Sequence, residues 1–417
     1  MKKSLYNMII PYKENETIIF NPLYGSLGKL EDDVLERFNN DTLTEEEKNE
    51  MFERHIFIKD DFDEITKINQ GRVHGINNPN RKVFRIWTTS GCNARCYYCF
   101  EKGVAVKTMD TVTMIQVAKY VCDRIEKGNE IKLEWFGGEP LLNIKAIETI
   151  SEIVMDKCKE LDAQYISSII TNGSLVDNTT VDLFKRYNIK RAQITLDGYR
   201  SIYNESKNYV NKELHNFDNV IDSIRLLSDN GIRVSVRLNY DNKNYESLSE
   251  LIDYLQDNFG DNKLVKTYVY PLWSAVKDGE FTTEAFADNN YIKLIDKLVN
   301  YGQMDPERVI GLRRKVTQCA ARNINSVAIL PDGSISKCSE TFTQVIGNIT
   351  DGITDTKTYN EWTSGELHEE CKTCKYLPVC NDGCMSARYT NMDSCMPTKD
   401  IFDDIVRWYV NYLDTHK

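Results

Sequence analysis

Strand-like and helix-like segments alternate along the chain from Lys82 onward, and this alternation limits the possible folds more than any other feature. The strand-like segments begin near Val83, Ile131, Gln164, Arg191, Arg233 and Leu264. Helical patterns between them include Thr111–Lys127, Ile144–Leu161, Asn216–Leu227 and Tyr245–Phe259. Parallel strands need long crossovers, which are usually helical and right-handed. The pattern therefore predicts an α/β fold in which parallel strands carry functional residues at their carboxyl ends.

Three cysteines, Cys92, Cys96 and Cys99, follow the first of these strands in the spacing CxxxCxxC. Three thiolates on one short loop can hold three irons of a cubane cluster, whereas protein-only 4Fe–4S sites normally use four. The missing fourth ligand leaves one iron free to bind a small molecule through nitrogen and oxygen. A metal-binding loop of another kind is the alternative, and zinc fits less well because structural zinc sites use four protein ligands.

This triad, with Tyr98 before its last cysteine, resembles the signature of the radical S-adenosylmethionine (SAM) superfamily. The resemblance implies that the open iron chelates the amino and carboxylate groups of the methionine part of SAM. The cluster would then donate an electron that cleaves SAM to methionine and a 5′-deoxyadenosyl radical. It also implies a partial (β/α)6 TIM-like barrel, which we assign to residues 81–305.

The second strand closes with Gly137-Gly138-Glu139-Pro140. Two glycines allow a backbone to approach a ligand closely, and Glu139 offers an acceptor for an ammonium group. Alone, this sequence is an ordinary turn. At a strand end after the triad it matches the GGEP motif of the superfamily, whose implied role is to bind the methionine amino group of SAM.

Further SAM-binding candidates lie at the ends of the third and fourth strands. Asn172 ends the third strand. Alternation along the fourth strand places Thr195 on the same face as Asp197, and a polar face on a barrel strand is expected to look into the cavity. The resemblance suggests that Thr195 lies near the SAM ribose. Lys207 stands where relatives often carry an arginine for the SAM carboxylate, and it keeps the charge without the bidentate fork.

Arg237 lies on the polar face of the fifth strand. We expect it to reach SAM or substrate. The alternative is a buried ion pair with Asp197 or Glu139.

Seven cysteines in the C-terminal part form the pattern C-x13-G-x4-C, then C-x2-C-x5-C-x3-C, then a last cysteine. This pattern resembles in full the seven-cysteine SPASM domain, which we assign to residues 306–417. The resemblance implies an outer auxiliary 4Fe–4S cluster ligated by Cys371, Cys374, Cys380 and Cys395. It implies an inner auxiliary cluster ligated by Cys319, Cys338 and Cys384.

The inner set has only three cysteines, and the stretch Ala320 to Leu330 contains no fourth. Its cluster is therefore expected to keep an open iron for a substrate thiolate or a non-cysteine ligand. A pair of structural zinc sites is the alternative, but seven ligands complete only one four-coordinate site. The closing segment Ile401–Leu413 is apolar at helical spacing and is expected to pack on the barrel.

Residues 1–80 form a separate module in this interpretation. The pattern predicts strands at Tyr6–Pro11, Thr17–Phe20 and His55–Ile58, helices at Leu30–Phe38 and from a Thr44–Glu47 capping box to Arg54, and a linker at Ile76–Asn80. This winged-helix-like layout resembles the recognition element that precedes many radical SAM enzymes acting on ribosomally made peptides. There the precursor's leader adds as a strand to the small sheet. A packing extension over the barrel is the alternative.

Composition excludes several classes of function. The net charge of −11 over 417 residues argues against a nucleic-acid partner, since phosphate contact favours a basic face. No apolar run approaches the ~18 residues of a membrane helix, and no signal peptide is recognised. Twelve cysteines without an export signal indicate metal ligands rather than disulfides. We therefore predict a cytoplasmic protein that binds neither membrane nor nucleic acid.

The first functional hypothesis is an enzyme that cleaves SAM and abstracts a hydrogen from a ribosomally synthesised precursor peptide. The product would be a thioether or another side-chain cross-link. It would need SAM, three 4Fe–4S clusters, the precursor peptide and a reductant such as flavodoxin or ferredoxin.

The second hypothesis is an anaerobic sulfatase-maturing type of enzyme, which oxidises cysteine or serine to formylglycine. Relatives of that type carry an aspartate directly after the cysteine equivalent to Cys338, whereas this chain has Ser339 and then Glu340. A non-catalytic iron–sulfur protein is a third possibility, which the intact GGEP motif argues against.

Overall fold

The computed structural model describes residues 1–272, 275–277, 280–282, 287–312, 319–390 and 392–416. Its largest element is a ten-stranded sheet, to which the N-terminal and C-terminal parts of the chain are attached. No helix in these described ranges is both long and apolar enough to cross a membrane.

The N-terminal module consists of a three-stranded antiparallel sheet in the order β2-β3-β4, a two-stranded pair β1-β5 and three helices. The strands are β1 Lys2–Lys3, β2 Met8–Lys13, β3 Glu16–Asn21, β4 Ser26–Glu31 and β5 Phe57–Ile58, and the helices are α1 Asp32–Asn39, α2 Glu45–Glu53 and α3 Glu64–Ile76. The predicted capping box is present, because the Thr44 hydroxyl accepts the Glu47 N–H and the Glu47 carboxylate accepts the Thr44 N–H.

Two details of this module differ from the sequence prediction. Leu30 lies in β4 rather than in the first helix, because it pairs with Thr17 of β3 and is buried between the sheet and α1. Helix α3 was not predicted, since Gly71 and Gly75 weaken its helical pattern. The predicted linker is correspondingly shorter, because Ile76 is the last residue of α3.

Six parallel strands form the main part of the large sheet, in the order β11-β10-β9-β8-β7-β6. They are β6 Arg81–Thr89, β7 Glu130–Gly137, β8 Gln164–Thr171, β9 Ile189–Leu196, β10 Arg233–Tyr240 and β11 Val265–Pro271. The connecting helices are α4 Thr111–Cys122, α5 Ile144–Glu160, α6 Asn178–Arg186, α7 Arg200–Lys207, α8 Phe217–Asp229 and α9 Tyr245–Phe259. The predicted alternation is thus confirmed, and the fold is a partial (β/α)6 barrel.

Alternate residues of the barrel strands divide between two environments. Apolar side chains on one face, such as Leu133, Trp135 and Ile194, are fully buried against the helices. Polar side chains on the other face, such as Thr195 and Arg237, are only half-buried and line the barrel interior. Period-two alternation therefore separates the core from the functional cavity.

The rest of the chain extends the sheet beyond β6. A short hairpin, β12-β13, comes first along the chain and forms a separate sheet. Strand β14 then pairs parallel to β6, and the antiparallel strands β15, β16 and β17 continue the large sheet to its edge. The elements are β12 Ala275–Lys277, β13 Glu280–Thr282, α10 Asn289–Asn300, α11 Pro306–Val309, β14 Ser326–Ile329, β15 Ser334–Ser336, β16 Gly347–Asn348, β17 Gly352–Ile353, α12 Thr356–Thr363, α13 Glu369–Lys372, α14 Leu377–Cys380, α15 Met385–Tyr389 and α16 Phe402–Thr415.

Helix α16, the predicted closing helix, packs on the barrel and also on the N-terminal sheet. The Trp408 indole donates to Asp296 of α10 at 2.7 Å. On its other side, the helix buries Phe402 and Val406 against Ile18 and Phe20 of β3. The N-terminal module is therefore held to the rest of the protein by a shared apolar core.

Candidate active site

The triad loop leaves the carboxyl end of β6 and lies directly against the GGEP loop after β7. The Gly138 N–H donates to the Thr89 carbonyl at 3.0 Å, and the Glu139 N–H donates to the Gly91 carbonyl at 2.9 Å. A Cβ on Gly138 would overlap the Gly91 carbonyl oxygen. The glycine that was expected to serve ligand approach thus also allows the two loops to touch.

The triad thiols are half-buried, and all twelve cysteines are free of disulfides. Burial raises the pKa of Cys92 to about 12, and the charges of Glu139, Cys96 and Cys99 act in the same direction. The surroundings of Cys92 therefore disfavour a thiolate unless cations compensate it. Iron fits this donor set, because a coordinating thiol is deprotonated by the metal.

No three His, Cys, Asp or Glu side chains within the described residues are arranged to hold a metal ion.

Glu139 is completely buried between the ends of β7 and β8. Its carboxylate accepts hydrogen bonds from the Leu141 N–H at 3.0 Å, the Thr171 hydroxyl at 2.8 Å and the Asn172 N–H at 2.7 Å. Burial raises its pKa to about 7, although these hydrogen bonds oppose the increase. Glu139 therefore ties two strand ends together, and its contact with the SAM ammonium group stays a prediction.

Asn172 lies beside the triad loop, as expected for a residue at the end of β8. The Asn172 Nδ2 donates to Asn93 Oδ1 at 2.8 Å and lies 3.9 Å from the Cys92 sulfur. The GGEP loop, the end of β8 and the triad thus meet at one edge of the barrel.

Tyr98 and Lys207 belong to a buried polar network that sequence reasoning did not identify. The Tyr98 hydroxyl donates to Asp197, with distances of 2.8 and 2.9 Å to its two oxygens. The Lys207 ammonium lies 3.0 Å from Asp197 Oδ2 and 3.0 Å from the Tyr98 hydroxyl. The Asn239 amide donates to Asp197 Oδ1 at 2.9 Å. The polar alternation of β9 and β10 was the only sequence signal for this network.

Burial by itself would lower the pKa of Lys207, but the charge of Asp197 and the nearby Tyr98 and Cys96 hold it well above the usual value. Lys207 is therefore favoured in its charged form, and its carbonyl accepts the Arg95 N–H of the triad loop at 2.8 Å. Its ammonium group is already paired, so a role in binding the SAM carboxylate stays a prediction.

Thr195 and Arg237 lie opposite each other on β9 and β10, facing the barrel interior. The Arg237 Nε donates to the Asn239 side-chain oxygen at 2.9 Å, and its guanidinium lies 4.6 Å from the centre of the Tyr270 ring. Among the described side chains, Arg237 makes no ion pair with Asp197 or Glu139. The ion-pair partner of Asp197 is Lys207. The remaining expectation, contact with SAM or substrate, stays a prediction.

The C-terminal part of the chain closes one side of the barrel interior through Ser339 and Phe342. The Arg85 guanidinium donates to the Ser339 hydroxyl at 2.9 Å and pairs with Glu134 at 2.7 Å. The Phe342 ring packs 5.5 Å from the Trp87 ring. These lumen residues of β6 were not predicted, although they alternate along that strand.

Among the predicted inner cysteines, Cys319 is exposed, whereas Cys338 and Cys384 are half-buried. Burial raises the pKa of Cys338 to about 12, and the charges of Glu340, Cys319 and Cys384 add to the increase. Lys337 is buried beside them, and burial lowers its pKa to about 7.

The predicted outer cysteines lie next to cationic donors. Arg388 Nη2 is 3.4 Å from the Cys371 sulfur, and Lys399 Nζ is 3.5 Å from the Cys395 sulfur. The charge of Cys374 also acts on Lys399. Donors of this kind fit thiolate ligands of an iron–sulfur cluster.

Comparison with known proteins identifies the class. Residues 86–255 match the model of the Radical SAM superfamily. The chain therefore contains a radical SAM domain, which in that superfamily uses a 4Fe–4S cluster and SAM, and the protein is an enzyme. The resemblance to radical SAM enzymes is confirmed for this domain, and the SPASM assignment of residues 306–417 stays a prediction.

Individual relatives extend this match over most of the chain. The chain is 23% identical over 390 residues to the radical SAM cyclopropyl synthase TigE of Paramaledivibacter caminithermalis, which covers 81% of this chain and 76% of that protein. It is 22% identical over 356 residues to a cysteine-type anaerobic sulfatase-maturating enzyme of Clostridium perfringens, covering 76% of this chain and 93% of that protein. Streptococcus suis SuiB bound to precursor peptide SuiA shares the fold, with a TM-score of 0.52 and 14% identity over 95% of this chain and 98% of SuiB.

Proposed function

We propose that this enzyme matures a ribosomally made precursor peptide by joining two of its atoms in a thioether or another side-chain cross-link. When bound, SAM and its cluster supply the 5′-deoxyadenosyl radical, and the auxiliary clusters supply an acceptor for the surplus electron. In such a reaction, the peptide loses two hydrogens. One leaves as a hydrogen atom to the radical, and the other leaves as a proton and an electron.

The observation that carries this proposal is the contact between the barrel interior and the inner cysteine loop. Arg85 of β6 contacts Ser339, which directly follows Cys338, and Trp87 contacts Phe342 a little further along the same loop. The charge of Cys338 also acts on Arg85. A peptide in the barrel would therefore lie between the triad edge and the inner set. Such an arrangement holds the reacting atoms close together and excludes water.

The chain's own residues have distinct parts in the proposal. The triad cysteines would hold the SAM cluster, and the seven C-terminal cysteines would hold the two auxiliary clusters. Lys207 and Asp197 position Tyr98 next to the triad. Arg237 and Thr195 face the cavity, where they would bind SAM or substrate.

The N-terminal sheet is the proposed leader-binding site. Strand β4 pairs only with β3 among the described strands, so its outer edge is open for an added strand. The outer edge of β2 is partly used, since the Pro11 carbonyl accepts a hydrogen bond from Arg407 at 2.7 Å. SuiB, which shares the fold over nearly the whole chain, has a structure with its precursor peptide.

Hydrogen exchange tests the leader site. A bound leader should slow amide exchange in residues 26–31, because it would pair with the open edge of β4. Residues 8–13 of β2 provide the internal control and should be unchanged. Protection confined to β2, or absent from both strands, would contradict the proposed binding edge.

A sulfatase-maturing activity is the second candidate, supported by the similarity to the Clostridium perfringens enzyme. The position of the expected catalytic aspartate is occupied by Ser339, which is buried and bonded to Arg85. Glu340 is exposed and lies next to Cys338, so it is the residue that would have to serve as base. The arrangement favours cross-linking, because Ser339 cannot act as a carboxylate base.

The two functions can be separated in one experiment. Anaerobically reconstituted enzyme, with about twelve irons from three clusters, would be mixed with SAM, a strong reductant and a candidate precursor peptide encoded nearby. We expect 5′-deoxyadenosine and a peptide lighter by two hydrogens. A thioether would remove a free thiol, a carbon–carbon bond would keep it, and formylglycine would react with a hydrazide. Reaction with hydrazide would favour the second candidate, and absence of 5′-deoxyadenosine would contradict both.

A further inference from the structure

The hydroxyl of Tyr6 is a buried donor without a partner. The residue is completely enclosed, and its Oη makes no hydrogen bond. Leaving such a group unsatisfied costs roughly 1–3 kcal/mol. The ring packs with Leu367 and Leu377, and Cys371 lies against the same apolar cluster. Burial raises the pKa of the hydroxyl, and Cys374 is among the groups whose charge adds to the increase. The unpaired hydroxyl therefore belongs to a residue that shares a buried cluster with Cys371, one of the outer cysteines.

Arg72 of α3 is a second buried residue with donors that lack a hydrogen-bond partner. Its side chain is completely buried, and Nη2 donates to Asp382 Oδ2 at 3.1 Å, but Nε and Nη1 have no partner. Burial lowers the pKa of Arg72, whereas the charges of Asp382 and Cys371 raise it. Two buried residues of the N-terminal module thus carry unpaired donors near the outer cysteine set, because Tyr6 shares a cluster with Cys371 and Arg72 pairs with Asp382, which lies between Cys380 and Cys384.

Neither donor is free to turn toward water. The segment that carries Tyr6 is fixed by Glu64 of α3, whose carboxylate accepts the Ser4 hydroxyl at 2.6 Å and the Leu5 N–H at 2.8 Å. The Tyr6 N–H in turn donates to the Ser4 hydroxyl at 3.3 Å. Glu64 therefore joins the Tyr6 segment to the helix that carries Arg72.

Arg72 also anchors the loop that connects the two auxiliary sets. Asp382 lies between Cys380 and Cys384, in a left-handed conformation with φ of 73°. Its buried carboxylate is shared by Arg72 at 3.1 Å and Arg322 at 2.9 Å. A carboxylate held by two buried guanidinium groups gives this strained loop one defined position.

We propose that Tyr6 and Arg72 donate hydrogen bonds to the sulfurs of the outer auxiliary cluster, so that the N-terminal module completes the surroundings of that cluster. The inference rests on the proposed function, because it requires the cluster at the outer cysteines. Hydrogen bonds to sulfurs and nearby charge set the reduction potential of iron–sulfur clusters. Outer-shell partners also strengthen metal binding. The module would therefore tune the outer cluster in addition to binding a leader.

The test compares two tyrosine-to-phenylalanine substitutions in the same module. Tyr6→Phe removes only the unpaired hydroxyl. Tyr12→Phe is the matched control, because the Tyr12 hydroxyl bonds to Asn411 and Asp414 on α16. Both are made in full-length, iron-loaded protein whose triad cysteines are alanine, so that only auxiliary clusters give signals. Reduction is followed by electron paramagnetic resonance during a redox titration.

We expect Tyr6→Phe to lower the reduction equilibrium constant of one auxiliary cluster about tenfold, which is about 59 mV for a one-electron couple. The other auxiliary signal and both signals of Tyr12→Phe should stay unchanged. Arg72→Lys, which keeps the charge but loses the spare N–H groups, should shift the same signal in the same direction. Both Tyr6→Phe and Arg72→Lys should release about four irons to a chelator roughly tenfold faster.

The possible failures are distinguishable. If neither Tyr6→Phe nor Arg72→Lys moves an auxiliary signal, the inference is wrong while the proposed function stands. Equal shifts of both signals would indicate a general disturbance and would also overturn it. The starting variant for these comparisons has its three triad cysteines replaced by alanine. If it binds fewer than about eight irons, the two auxiliary clusters are contradicted, and the inference fails together with that part of the proposed function.

Discussion

The triad loop and the outer cysteine set are supported in opposite ways. The triad loop is held by backbone bonds to the next strand end, through Gly138 and Glu139. The outer set is contacted by the far end of the chain, because Tyr6 shares a buried cluster with Cys371 and Arg72 pairs with Asp382, which lies between Cys380 and Cys384. The first site is thus held mainly by contacts within the barrel, and Phe100 after the last triad cysteine also packs 6.2 Å from Phe342. The second depends on how the N-terminal module docks, and substitutions should affect the two sites separately.

The largest effect is expected in the triad. Replacing Cys92, Cys96 or Cys99 with alanine should reduce 5′-deoxyadenosine formation to background, because the remaining two thiolates cannot hold the cluster. Cys158→Ala is the control, since Cys158 is buried within α5 outside both cysteine arrays. Cleavage would be measured by chromatography under a strong reductant. Cleavage at the normal rate in a triad variant would refute the assignment of the SAM cluster.

The outer set should give a different pattern. Cys374→Ala is expected to lose about four of twelve irons and to stop peptide modification while leaving SAM cleavage largely intact. The physical reason is that no backbone bond joins the outer set to the triad loop among the described residues. Iron content and product mass spectra would be compared with 5′-deoxyadenosine release. A loss of cleavage as complete as in the triad variants would show that the two sites are not independent.

The buried ion pair beneath the triad should have the next largest effect. Lys207→Met leaves Asp197 buried without its cation, and this should lower the free energy of unfolding by about 3–5 kcal/mol. Lys119→Met breaks an exposed pair with Asp123 and should cost at most about 1 kcal/mol.

Chemical denaturation of the two variants checks this expectation. Adding Asp197→Asn to Lys207→Met should restore part of the loss, because it removes the uncompensated charge. Equal stabilities of the single and double variants would mean that the uncompensated charge of Asp197 contributes little to the loss.

The smallest effect is expected at the contact between the two loops. Gly138→Ala places a Cβ against the Gly91 carbonyl and should cost about 1–3 kcal/mol. It should also reduce iron retention at the triad, because the loop must shift. Gly128→Ala is the comparison, since its positive φ should cost about 1–2 kcal/mol without any contact to a cysteine loop. Similar iron retention in both variants would show that the loop contact does not support the cluster.

Local pattern was sufficient for much of this structure. The spacing of apolar segments predicted the parallel sheet, and the Thr44–Glu47 capping box predicted the start of α2. Both depend on residues that are close in sequence. Leu30 shows the limit of such reasoning, because its pairing with β3 outweighs its helical spacing with Val34 and Phe38. Helix α3 shows it again, because packing of Ile68 and Arg72 compensates for two helix-weakening glycines.

Within the candidate site, the residue types were predicted but their partners were not. Alternation placed Thr195, Asp197 and Arg237 on the cavity face. It did not show that Lys207, from the following helix, would pair with Asp197 and leave Arg237 beside Tyr270. A buried charge takes the partner that the fold brings to it, and that partner need not be near in sequence.

The sequence by itself determined the barrel class and the order of its cysteine sets, because periodicity and spacing are local properties of the chain. Only the tertiary structure decided that the N-terminal module shares a core with α16, that Tyr6 joins the cluster of Cys371, and that Arg72 pairs with Asp382. Those contacts join opposite ends of the chain. Burial of unpaired donors is a property of the packed molecule, and no local pattern encodes it.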